Sequence, residues 1–311
     1  MEAVIKFNHV SKKFRQEEAL KDVTCEIFAG EIYGLIGKNG AGKTTLLKVL
    51  TGLLKPTAGE VALFSSSNRN EFLVSLKRTG SVIETPTAFP NLSARQNLAY
   101  YCKLRGIVEE KKAIKEALEM VGLADNNKKF KQFSLGMKQK LGIALALLTN
   151  PDILILDEPI NGLDPLAIIE FRELMKRLNQ EYGMTIIISS HILAELYQVA
   201  SKFGVLVDGQ LVKEITKEEF LEQNEEYIVV KTTKAASVAS MIADLTKAKF
   251  KVIDDETLHI FSNEALIPQL VMAFGANQVP INEIYYSRSD LEGYFKELVT
   301  PGEEGEEGFA C

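Results

Sequence analysis

Residues Gly37-Lys38-Asn39-Gly40-Ala41-Gly42-Lys43-Thr44 fit the pattern Gly-x-x-x-x-Gly-Lys-Thr, and no other stretch of the chain restricts its fold as strongly. The pattern works only between a strand and a helix. Glu31-Ile32-Tyr33-Gly34-Leu35-Ile36 reads as a buried strand, and Thr44 to Leu50 reads as the first turns of a helix. An α/β sheet is therefore expected around this loop. Gly37, Gly40 and Gly42 let the loop curl with several N–H groups facing inward at phosphate. The helix that starts near Lys43 aims the positive end of its dipole at the same place. Lys43 supplies a point charge to the β- and γ-phosphates, and the Thr44 hydroxyl can ligate Mg²⁺. Gly37 through Thr45 form the expected phosphate-binding set, with Lys38, Asn39 and Ala41 contributing through their backbone.

Three further segments bear on the chemistry. Ile153-Leu154-Ile155-Leu156 is an apolar run ending in Asp157-Glu158. It reads as a buried parallel strand that delivers two carboxylates at its C-terminal end, where open α/β sheets bind ligands. Asp157 is placed to hold Mg²⁺ through water, and Glu158 to polarise the water that attacks the γ-phosphate. Phe133-Ser134-Leu135-Gly136-Met137-Lys138-Gln139 precedes an apolar helix, with Ser134 as its N-cap. Thr185-Ile186-Ile187-Ile188-Ser189-Ser190-His191 is a buried strand with a histidine at its carboxyl end.

The order P-loop, capped helix, Asp-Glu strand and strand-His resembles the ATP-binding subunit of ABC transporters over about residues 3 to 215. The resemblance implies ATP and Mg²⁺ as ligands and ATP hydrolysis as the activity. It implies that Phe14 stacks on adenine and that His191 contacts the γ-phosphate. It also implies that Ser134, Gly136 and Asp164 act across a dimer, the first two on the γ-phosphate of ATP held by the other copy. The partners so implied are a second copy of the chain and a separately encoded membrane permease.

Two departures from the family pattern narrow it. The commonest signature is Ser-Gly-Gly-Gln, whereas this chain reads Ser134-Leu135-Gly136-Met137. In Ser81-Val82-Ile83-Glu84-Thr85-Pro86, Glu84 stands where a Mg²⁺-sensing glutamine is usual. A carboxylate can still touch Mg²⁺ or its water, but it adds negative charge beside phosphate. With Phe89-Pro90-Asn91-Leu92 next in the chain, these features resemble the bacitracin-export and lantibiotic-immunity group.

Composition agrees. At 311 residues, 46% apolar and 25% charged, the chain has room for one large and one small globular domain. No apolar stretch approaches the roughly 20 residues that span a bilayer. The N-terminus lacks a signal peptide's basic and apolar regions, so the expected location is the cytoplasmic face of the membrane. The net charge of −6 comes without a basic block, so no nucleic acid partner is expected. Cys25, Cys102 and Cys311 form no metal spacing and read as reduced thiols, two of them packed.

The expected ATPase domain runs over 1–218. Within it, about 86–150 should be a helical subdomain, with helices over Asn97 to Leu104 and Lys111 to Val121. The apolar stripe Ile114, Leu118, Val121 marks the second of these. The resemblance implies a groove there for a helix of the membrane partner, with Phe89, Leu92 and Tyr100 as lining. Over 225–300 the pattern is strand, helix, strand, strand, helix, strand, then a helix Asp290 to Val299 capped by Ser289. This predicts a small α+β, ferredoxin-like βαββαβ domain. Its role reads either as regulation and dimer stabilisation or as packing alone. Residues 301–311 are an acidic tail, expected to be disordered. Two other functions stand beside the exporter: an ABC ATPase without a transport role, and a sensing module with slow turnover.

Overall fold

The computed structural model describes residues 2–66, 68–223, 227–233, 235–246 and 248–287. The expected helix from Asp290 to Val299 and the acidic tail lie outside the described residues. The break between two compact units falls between Lys217 and Glu218.

The first unit opens with β1 (Ala3–Phe14), β2 (Glu17–Phe28), β3 (Ile32–Ile36), α1 (Lys43–Leu50) and β4 (Ala58–Leu63). β1 pairs antiparallel with both β2 and β4 to make a three-stranded sheet. Next come α2 (Arg69–Ser75), β5 (Thr79–Val82), α3 (Ala94–Arg105), α4 (Glu110–Val121), α5 (Leu135–Leu147) and β6 (Ile153–Asp157). The unit closes with α6 (Pro165–Tyr182), β7 (Thr185–Ser190), α7 (Leu193–Tyr197), β8 (Lys202–Val207) and β9 (Gln210–Thr216). A six-stranded sheet runs β5-β6-β7-β3-β8-β9, parallel except for β9.

The reason is visible in composition. β3, β6 and β7 are buried at every residue, which is the condition of a parallel strand covered on both faces. The core below the first sheet joins Ile5, Phe7, Leu20 and Ile27 to Leu46, Leu47 and Leu50 of α1. α4 buries Ile114, Ala117, Leu118 and Val121, the stripe read from the sequence plus one alanine. α3 starts earlier than expected, at Ala94, because Ser93 and Gln96 form a capping box. α5 is buried over most of its length, from Leu141 to Leu147.

Cys25 and Cys102 are free and buried. Burial, with Glu214 nearby, pushes the Cys25 thiol up to about 12, so it stays protonated.

The second unit opens with α8 (Lys217–Gln223), of which all but the first residue lie in it. It continues with β10 (Tyr227–Lys231), α9 (Ala235–Leu245), β11 (Lys249–Val252), β12 (Thr257–Phe261), α10 (Ile267–Ala276) and β13 (Glu283–Ser287). Its sheet is antiparallel in the order β11-β12-β10-β13. That is the split βαβ arrangement, with each crossover skipping one strand. Ile228, Val230, Leu258 and Ile260 meet Val238, Ile242, Leu270 and Phe274 in an apolar core.

Candidate active site at the carboxyl ends of the parallel strands

β3, β7 and β6 are adjacent, so the segments leaving their carboxyl ends gather at one edge. The P-loop leaves β3, Glu158 comes directly after Asp157 at the end of β6, and His191 comes directly after β7.

The loop geometry depends on glycine at two positions. Gly42 has φ 106°, and an added Cβ would sit 2.6 Å from the Ala19 carbonyl oxygen. A Cβ on Gly37 would sit 2.5 Å from the Leu206 carbonyl oxygen. Gly42 is also the N-cap of α1 and offers no side chain to the first amides of the helix. Those N–H groups are left facing the loop.

Lys43 is almost fully buried, and its charge is met from three sides. Its Nζ donates to the carbonyl oxygens of Gly37 at 2.6 Å and Lys38 at 3.2 Å. The Glu158 Oε1 lies 3.1 Å away. A buried ammonium needs this compensation. The second Glu158 oxygen is 2.9 Å from His191 Nδ1, so Lys43, Glu158 and His191 form a chain of polar contacts. Glu158 has φ 46°. A non-glycine residue in that region is uncommon, and such strain gathers at functional sites.

A second chain runs beside it. Thr44 Oγ1 donates to Asp157 Oδ2 at 2.8 Å, and Ser189 Oγ donates to Asp157 Oδ1 at 2.7 Å. The Glu158 amide donates to Ser189 Oγ at 2.9 Å. Asp157 and Ser189 are register partners, which brings the bond about. Ser189 was absent from the candidates read from the sequence. Its signal was a serine closing an otherwise apolar strand, where a fully buried hydroxyl needs a partner.

Other candidates lie apart from this cluster. Glu84 bonds Lys48 Nζ at 2.5 Å and has φ 63°. Phe14 closes β1, is 43% exposed, and has Lys12 Nζ 5.0 Å from its ring centre. Ser134 caps α5 by accepting from Met137 N at 3.3 Å. Gly136 faces Ala167 and Leu163, while Asp164 caps α6 by accepting from Ala167 N at 2.9 Å. Among the described residues, no bond joins Ser134, Gly136 or Asp164 to the P-loop of the same chain. In the helical region Phe89 and Tyr100 are both more than 40% exposed and meet edge to face at 4.6 Å, and Leu92 is half-buried.

The donor set fits a phosphate chain with a hard cation. Loop amides and a buried ammonium serve the anion, while the oxygens of Thr44 and Asp157 suit Mg²⁺.

Comparison with known proteins agrees. Residues 20–161 match the family described as ABC transporter. An uncharacterized ABC transporter ATP-binding protein of Bacillus subtilis is 43% identical over 96% of this chain and 98% of its own length. A bacitracin transport ATP-binding protein of Enterococcus faecalis is 38% identical over 97% of this chain and 98% of its own. A lantibiotic transport ATP-binding protein of Streptococcus pyogenes is 42% identical over 71% of this chain and 95% of its own. Among solved structures, a dimeric ATP-binding cassette in a post-hydrolysis state with ADP and Pi has a TM-score of 0.61 and 29% identity. That likeness covers 68% of this chain and 98% of the cassette. No described helix is long and apolar enough to cross a membrane. This chain belongs to the ATP-binding subunits of ABC transporters, a family that hydrolyses ATP to power transport.

Proposed function

We propose that two copies of this chain bind ATP between them, work on a separate membrane permease from its cytoplasmic side, and power export of a peptide antibiotic or similar toxic compound. The observation that carries the ATPase part is the meeting of Lys43, Thr44, Asp157, Glu158 and His191 at one sheet edge. The relatives named for bacitracin and lantibiotic transport support the choice of cargo.

In this reading the loop amides and Lys43 hold the β- and γ-phosphates. Lys43 then exchanges its carbonyl partners for phosphate oxygens, and Glu158 loses its ammonium neighbour. Glu158 is freed to take a proton from the attacking water, while the His191 contact keeps its carboxylate oriented. Thr44 and Asp157 would hold Mg²⁺, which supplies charge neutralisation to the phosphates. Ser134, Gly136 and Asp164 serve the site of the second copy, and Phe14 the base. The groove near Phe89, Leu92 and Tyr100 serves the permease. The transporter names of the relatives weigh against an ATPase with no transport role.

The cargo is tested by removing the gene from its native cells and measuring growth against a panel of peptide antibiotics. At least a fourfold rise in susceptibility to one of them, restored by the intact gene but not by its Glu158→Gln form, is expected. Unchanged susceptibility across the panel would count against export.

A further inference from the structure

Glu158 and His191 meet at 2.9 Å, and each is followed by a helix. The chain beyond Glu158 enters α6, and the chain beyond His191 enters α7 with Glu195 in its first turn. Arg172 of α6 donates to Glu195 Oε2 from Nε at 3.0 Å and again from Nη2. The two side chains are 26% and 20% exposed, so water screens the pair only in part. The same two stretches of chain therefore meet twice, once at Glu158 and His191 and once at Arg172 and Glu195.

The two helices are anchored unequally. α6 buries Phe171, Leu174, Met175 and Leu178, and its Arg177 donates from Nη2 to the Met120 carbonyl of α4. α7 has five residues, no side-chain cap and two buried leucines, Leu193 and Leu196. Two N–H groups on one carboxylate oxygen make a directional contact, and here they run from the firmer helix to the shorter one. A reacting group displaced by about 1 Å can lose on the order of 10²-fold in rate. We propose that Arg172 and Glu195 are positioning residues for His191: their ion pair fixes the segment after β7, so the imidazole stays on the Glu158 carboxylate during turnover. The inference rests on the reading in which His191 orients Glu158 for hydrolysis.

The test is ATP hydrolysis by the full chain. Arg172→Met should lower kcat about tenfold and leave KM for ATP within about twofold. Glu195→Gln, which keeps the shape of the side chain, should lower kcat by about threefold or more in the same way. The double variant should be no more than about twofold slower than Arg172→Met alone. In single-turnover phosphate release, Arg172→Met should cost less than about twofold on a His191→Ala background, because the group it positions is gone. A tenfold loss undiminished on that background would make the pair a general structural brace and overturn the proposal. So would an unchanged kcat in Arg172→Met, or a rise in KM that matches the fall in kcat. A His191→Ala chain that hydrolyses ATP at the original rate would instead overturn the reading of His191 itself, a result distinct from those three.

Discussion

The two units bury very different things. In the first, Lys43, Asp157, Ser189, Ser190, Gln139 and Asn97 are buried polar side chains; Asp157, Ser189 and Ser190 stand at the ends of parallel strands, and Lys43 opens α1 beyond the loop that follows β3. In the second, Thr232 is the one buried polar side chain among the described residues, and it bonds the Pro280 carbonyl. Buried polar groups are costly unless they are paired. The first unit accepts that cost where several of them pair with one another around an open loop. The second spends its interior on apolar packing. Buried polar groups that pair with one another therefore gather in the first unit. The relatives differ in how much of the chain they match. The lantibiotic transport protein of Streptococcus pyogenes aligns over 223 residues and 95% of its own length, little more than the extent of the first unit here.

The largest effect that would sharpen the contrast is loss of the base. Glu158→Gln should cut phosphate release by about 10²-fold or more while ATP still binds. Gel filtration with ATP should then show a trapped dimer. Turnover at the original rate would break the assignment of chemistry to this edge.

Phe274→Ala attacks the other unit. Phe274 is 2% exposed, and its removal should destabilise the second unit by about 3–5 kcal/mol. A two-step thermal melt is expected, the lower step belonging to residues beyond Glu218, with ATP turnover within twofold of the original. A matching fall in turnover would show that the units are not independent.

Ser189→Ala should be milder. It leaves Asp157 Oδ1 and the Glu158 amide each without the partner seen here. Such a gap is worth about 1–3 kcal/mol, read as a lower melting temperature together with slower phosphate release.

The smallest effect concerns pH. Burial, and the Lys251 charge next to it, hold His259 below its ordinary range. The unfolded chain therefore binds a proton more readily than the folded one. Stability of the second unit should fall as pH drops through the ordinary histidine range near 6.5. His259→Gln should flatten that slope in melts taken between pH 5 and 8. A slope of opposite sign would contradict the placement of His259 on Tyr227, with which it stacks at 3.9 Å.

Much of this was legible in the sequence because the decisive signals are local. The P-loop, the apolar run before Asp157 and the apolar run before His191 each declare a buried strand and the reactive group at its end. The stripe of α4 stands where its helical spacing places it. The residues that escaped have roles set by pairing across distance. Ser189 acquires its role from a register with a strand 32 residues away. Lys48 finds its carboxylate partner in Glu84, 36 residues on. The three-stranded sheet of β1, β2 and β4 was also not anticipated. β1 breaks its alternation at several register shifts, which blurs the period of two that marks a strand.

The strand order has a consequence in time. β3 pairs with β7 and β8, so the strand carrying the P-loop is flanked only by residues 185–190 and 202–207. A ribosome releases the loop early and its neighbours some 150 residues later, at roughly 5–20 residues per second. For that interval the phosphate cradle has no sheet to rest on. Nascent chains halted before Val207 should be protease-sensitive and blind to nucleotide, and those released past Thr216 should acquire both protection and binding together.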